Sequence, residues 1–148
     1  YMFRTERSKY LMEQGIPLNT DSTLKGQTIF LAERCAELIQ TDIITDRTVI
    51  DVMAFTQNAK SIPYQDKDKF IDYAKEFIRE YDYIFYISSD GLPIEDNGVR
   101  ETDEHYRDII DFTITSFIRK YAYMMKNIET IKGSTEERIE QILNITGL

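Results

Sequence analysis

The sequence predicts an α/β fold built on a parallel sheet, and three observations carry that expectation. Strand-like segments at 42–45, 82–88 and 127–132 are separated by segments with helical spacing, the alternation that parallel sheets require. The middle segment, "DYIFYIS", is apolar or aromatic on both of its faces, which suits a strand covered on both sides. No repeat, low-complexity tract or Pro/Gly/Ser-rich linker divides the 148 residues, so residues 1–148 read as one domain.

Taken in order, residues 3–14 have helical spacing and stop at Gly15-Ile16-Pro17, where glycine accepts a left-handed end and proline forbids continuation. A second helix starts near Asp21 or Ser22, with Leu24, Thr28, Leu31, Cys35 and Leu38 along one face. The strand at 42–45 leads into a helix over about 48–59, and Pro63 separates that helix from another over about 66–80, with Phe70, Tyr73, Ala74, Phe77 and Ile78 inward. After the strand at 82–88, residues 89–102 ("SDGLPIEDNGVRET") form a loop, long enough to suggest a functional role. A helix over 103–121 presents Tyr106, Ile110, Ile114, Phe117 and Tyr121. The strand at 127–132 then reaches Gly133, and Ser134 with Glu137 forms a capping box for the terminal helix.

Composition excludes several classes. With 26 acidic against 18 basic residues the net charge is −8, and a duplex-binding protein needs a clustered basic face instead. No apolar run reaches the roughly 18 to 20 residues that cross a bilayer, and the first ten residues lack a secretory apolar segment. The chain therefore reads as cytoplasmic, with neither nucleic acid nor membrane as partner, and with an oligomer compatible. Cys35, the single cysteine, lies in a helical stripe and reads as a packing residue. One histidine, His105, and no cysteine cluster exclude a structural zinc site.

In open parallel sheets ligands bind beyond the carboxyl ends of the strands. Those ends carry Asp46-Arg47, the 89–102 loop, and Gly133-Ser134-Thr135. A carboxylate for Mg²⁺, guanidinium groups for phosphate oxygens and a small-residue turn beside a base are what a phosphate site needs. A plainer reading stands beside this one: Asp46 caps the helix that begins near Thr48, and Arg47 is a solvated first-turn residue. Arg100 and Arg107 likewise suit surface pairs with Asp96, Glu101 or Asp103. The phosphate-cradling pattern G-x-x-x-x-G-K-S/T does not occur in these residues, and no glycine is followed by lysine.

Four segments, "TDRTVID", "YDYIFYIS", "NGVRETDEHYR" and "KGSTEERIEQIL", together resemble P-loop kinase-like ATPases. These are nucleoside kinase-like, AAA-type domains such as the ribosylnicotinamide kinase domain of the bacterial NAD regulator, many of them phage-encoded. The resemblance covers nearly the whole chain. It implies a three-layer P-loop NTPase-type sheet of strand order 2-3-1-4-5, flanked by helices, with the first strand and its P-loop outside this chain. The strands at 42–45 and 82–87 would then border a central gap, and about thirty preceding residues, the size of one βα unit, are expected to belong to the protein.

The same resemblance implies that the full-length protein is an ATP- and Mg²⁺-dependent phosphotransferase whose partners are a nucleotide and a small hydroxyl-bearing substrate, with these residues alone inactive for want of the P-loop. Asp46 resembles the acidic residue that holds Mg²⁺, and Arg47 the adjacent phosphate-binding arginine. Arg100 and Arg107 resemble lid arginines, the lid running over about 89–107. Gly133, Ser134 and Thr135 resemble the turn that borders adenine. Arg4 resembles a substrate-side arginine after the second strand, and the acidic general base is expected at or just before Tyr1. The alternative is a nucleotide-binding or interaction module that keeps the fold without phosphoryl transfer.

Overall fold

The computed structural model describes residues 1–4, 8–88 and 104–148. Its regular elements run β1 (Met2–Arg4), α1 (Ser8–Glu13), α2 (Leu24–Leu38), β2 (Ile43–Thr45), α3 (Val49–Gln57), α4 (Tyr64–Ala74), β3 (Ile84–Ile87), α5 (Glu104–Tyr121), β4 (Ile128–Ile131) and α6 (Thr135–Thr146). Short 3₁₀ turns precede α2 and follow α4 and α5.

The strands form two parallel pairs. β1 lies on β2 with Phe3 opposite Ile44, and β3 lies on β4 with Ile84 opposite Ile128. In the numbering of the expected order these are the 2-3 and 4-5 pairs, and β2 and β3 are not hydrogen-bonded to each other. The helices supply the parallel crossovers: α1 and α2 link β1 to β2, and α5 links β3 to β4.

The core lies among α3, α4 and α5. Val49, Met53 and Ala54 of α3 have no exposed surface, and neither do Ala74 and Ile78. From α5, Tyr106, Ile110, Phe117 and Tyr121 close over them. A helix as apolar as α3 (VIDVMAFTQ) belongs between other helices. Two polar bridges, one buried and one half-buried, fix its position: the Gln27 amide donates to the Val52 carbonyl and the Thr56 hydroxyl, and Asn58 donates to Thr113 of α5. The Tyr86 hydroxyl donates to Asp111, tying β3 to α5.

Four expectations need correction. Residues 2–4 are a strand, not the start of a helix: the Met2 amide donates to the Asp42 carbonyl, and pairing with a distant segment overrides local spacing. The buried face of α2 is Gln27, Leu31, Arg34 and Glu37, while Leu24 is 37% exposed. The stripe is rotated because polar side chains with partners take the inner positions. Tyr73 is 63% exposed, because the buried face of α4 is Phe70, Ile71 and Ala74 and Tyr73 lies beyond its edge. Finally, β3 is not covered on both faces: Ile84 is buried but Ile87 is 44% exposed.

Candidate functional site

The end of β2 is where the sequence reading left two alternatives, and the local geometry separates them. The helix cap is Thr48. Its hydroxyl accepts from the Ile50 amide, and its own amide donates to the Asp51 carboxylate at 2.8 Å, a reciprocal capping box. Asp46 is therefore not the cap, and its side chain is exposed.

The chain between strand and cap is sharply bent. Arg47 has φ of 82°, the left-handed region that costs a non-glycine residue on the order of 1 kcal/mol. The surroundings hold it there. The Asp46 amide donates to the Arg4 carbonyl at 3.1 Å, extending the ladder one residue past β2. The Thr45 hydroxyl donates to the Arg47 carbonyl at 3.0 Å. The Arg47 guanidinium lies 5.2 Å from the centre of the Phe55 ring, a cation–π contact. Arg47 is thus a half-buried turn residue and not a solvated residue of the helix's first turn.

Two buried charges stand behind this turn. Arg34 and Glu37 on α2 are 5% and 2% exposed. Arg34 donates from Nη1 to the Asp46 carbonyl at 3.2 Å, and its Nη2 lies 2.6 Å from Glu37 Oε1. That approach is off the line of a hydrogen bond, so both Glu37 oxygens lack an aligned donor. Burial pushes the Glu37 carboxyl above its ordinary range; Arg34 and then Arg4 oppose the shift, while Glu33 and Asp46 add to it. The Tyr81 hydroxyl accepts from the Val49 amide at 3.1 Å, at the start of α3. Burial raises its pKa well above the usual phenol range, so it remains protonated. Arg34, Glu37 and Tyr81 were not singled out in the sequence.

Arg4 is the last residue of β1 and not a residue beyond it, and it faces Glu33 at 3.8 Å. Arg4, Asp46 and Arg47 thus share one strand end. The turn after β4 is a separate place. Gly133 has φ of 102°, and a Cβ there would lie 2.7 Å from Glu137 Oε2. Ser134 caps α6, accepting from the Glu137 amide at 3.2 Å, and Arg138 donates to the Ser134 carbonyl and the Thr135 hydroxyl. Gln141 reaches back to both backbone groups of Lys132.

Arg107 sits half-buried in the first turn of α5, and His105 is exposed there. Arg100 and the lid expected over 89–107, apart from residues 104–107, lie outside the described residues. Among the described residues no three His, Cys, Asp or Glu side chains converge. Asp46 is a single exposed carboxylate, which fits the manner in which Mg²⁺ is held by one or two carboxylates together with substrate phosphates. Burial, and secondarily Glu80, raise the Cys35 thiol pKa, which is the environment of an inert cysteine. No helix among the described residues is long and apolar enough to cross a membrane.

No family model and no curated protein sequence matches the chain. Among solved structures it is similar to the deoxyadenosine kinase of M. mycoides, determined with the products dCMP and a flexible dCDP bound. The match has a TM-score of 0.68 and covers 99% of this chain and 85% of that one, at 19% identity. The chain has a nucleoside kinase-like fold. At that identity the likeness speaks for architecture, and the chemistry of the strand ends has to be argued from the residues themselves.

Proposed function

We propose that the protein is an ATP-dependent phosphotransferase acting on a nucleoside-like or nucleotide substrate, with Asp46 and Arg47 at the centre of its phosphate site. The observation that carries this reading is the turn after β2. There an exposed carboxylate and a half-buried guanidinium project from a bent backbone, and neither is used as the helix cap. That turn lies at the carboxyl end of a parallel strand in a nucleoside kinase-like fold, where such folds bind ligands.

In this reading Asp46 holds Mg²⁺, and the ion when bound offsets negative charge on the β- and γ-phosphates. Arg47 meets phosphate oxygens, and Arg4 faces the substrate. Arg100 and Arg107 close over the transferring phosphoryl group, and Gly133, Ser134 and Thr135 border the adenine. In the transfer a substrate hydroxyl oxygen bonds to the γ-phosphorus as the bond to the β-phosphate oxygen breaks, ADP leaves and the hydroxyl proton passes to a carboxylate base, so catalysis rests on positioning and charge. A second reading, nucleotide binding without transfer, uses the same fold and strand-end residues and is compatible with the acidic composition, net charge −8.

Release of ADP from Mg·ATP by the full-length protein, measured against nucleosides, ribosylnicotinamide and nucleoside monophosphates, tests the proposal. Turnover with at least one acceptor, abolished in Asp46→Ala with the melting temperature unchanged, is the expected result. Wild-type turnover in Asp46→Ala would refute the role given to Asp46. Nucleotide binding that depends on Asp46, with no turnover on any acceptor, would favour the second reading.

A further inference from the structure

We infer that the buried Arg34–Glu37 pair of α2 is a positioning device for the phosphate site, setting the backbone from which Asp46 and Arg47 project. This rests on the function proposed above for its catalytic part, though not for its structural part. A buried ion pair contributes little net stability and is often no better than apolar residues of the same size, so its presence at 5% and 2% exposure invites a reason beyond stability. The contacts supply one. The two terminal nitrogens of Arg34 face different partners: Nη2 faces Glu37, while Nη1 donates to the Asp46 carbonyl. That carbonyl belongs to the peptide joining Asp46 to Arg47, the residue held at φ of 82°.

The opposite side of the turn is held by the Arg4 carbonyl, which accepts the Asp46 amide. The carbonyl and the amide of Asp46 are therefore fixed from α2 and from β1 respectively, and its exposed carboxylate is left free to meet a ligand. Glu37 touches neither Asp46 nor Arg47 directly in this arrangement. Its part is to orient the guanidinium, and Arg34 in turn orients the turn. A planar fork presents donors to the two partners from separate nitrogens in a fixed geometry, whereas an ammonium group carries all of its donors on one nitrogen.

Arg34→Lys separates positioning from stability, because lysine retains the charge beside Glu37 and loses the second, fixed donor. The first readout is amide hydrogen exchange at Asp46 and Thr48, with Ile84, bonded to the Asn127 carbonyl, as a remote control. Loss of one charge-assisted hydrogen bond should speed exchange at the turn by about tenfold, with Ile84 unchanged. The second readout is phosphoryl transfer: kcat should fall by about 10- to 100-fold, the scale of a small misplacement, with KM for ATP little changed.

Unaltered exchange at Asp46 and Thr48 in Arg34→Lys would overturn the inference. So would acceleration equal to that at Ile84, which is the signature of general destabilisation, or an unchanged kcat in a protein whose wild type turns over. Faster exchange confined to the turn, in a protein with no turnover on any acceptor, would uphold the positioning and refute the kinase reading. If Arg34→Lys does not fold, Glu37→Gln carries the same test: it preserves shape, removes the counter-charge and leaves Arg34 less firmly directed at the Asp46 carbonyl.

Discussion

The turns after β2 and after β4 occupy equivalent places, each at the carboxyl end of a parallel strand and each at the start of a helix, yet they are held by different means. The β2 turn is fixed by groups brought from elsewhere in the chain: Arg34 from α2, the Arg4 carbonyl from β1, and Tyr81, which binds the first amide of α3. The β4 turn is held by its own neighbourhood, through Ser134 with Glu137, Arg138, and Gln141 with Lys132, on exposed or half-buried side chains. The difference teaches how each can be disturbed. The first responds to substitutions in distant elements, whereas the second moves with α6 and responds only locally.

The largest effect that would sharpen this contrast comes from Arg34→Met. It leaves Glu37 buried without a counter-charge, and breaking one side of such a pair costs about 3–5 kcal/mol. The double variant Arg34→Met/Glu37→Met should recover most of that stability in urea unfolding, because neither charge remains buried. A double variant no more stable than the single would mean that Arg34 matters through packing alone. The pair also sets a pH dependence. The Glu37 carboxyl is raised above its ordinary value of 4.5, so the folded state retains a proton that the unfolded state has lost. Stability from this group is therefore lost as pH rises from about that value through the raised one. Relative to Glu37→Gln, the wild type should lose stability across this window and run parallel below it. A wild type that instead gains on Glu37→Gln as pH rises would show that Arg34 outweighs burial.

Much of the fold was legible in the sequence, and the exceptions have physical causes. α3 and α5 fall within two residues of their expected bounds, because dense apolar spacing and end signals agree there. β1 was missed since three residues are too few for a strand period, and their pairing partner lies some forty positions away. At the site, Asp46 and Thr48 are both capping residue types, so spacing alone left the role of Asp46 open. The T-x-x-D pattern at 48–51, which names the true cap, was nevertheless present. Arg34 and Glu37 were invisible for the opposite reason: opposite charges three apart on a helix look like any solvated pair, and only tertiary packing reveals that they face inward.

The smallest test concerns the caps themselves. Thr48 and Ser134 make the same kind of bond, hydroxyl to backbone amide, at 3.0 Å and 3.2 Å. Thr48 belongs to a reciprocal box at the head of a core helix, whereas Ser134 heads α6, which has no buried residue. Thr48→Ala should cost about 1–2 kcal/mol and Ser134→Ala about 0.5 kcal/mol, the two ends of the range for such caps, read from shifts in the urea midpoint. An exposed helix that frays costs the rest of the molecule little, so α6 can lose its cap without releasing the core. Loss of the Thr48 cap instead frees the amides of α3 beside Asp46 and Arg47, so exchange at those residues should rise together with the loss of stability. Equal costs for the two substitutions would place the difference between the turns in Arg34 and Tyr81 alone, and not in the caps.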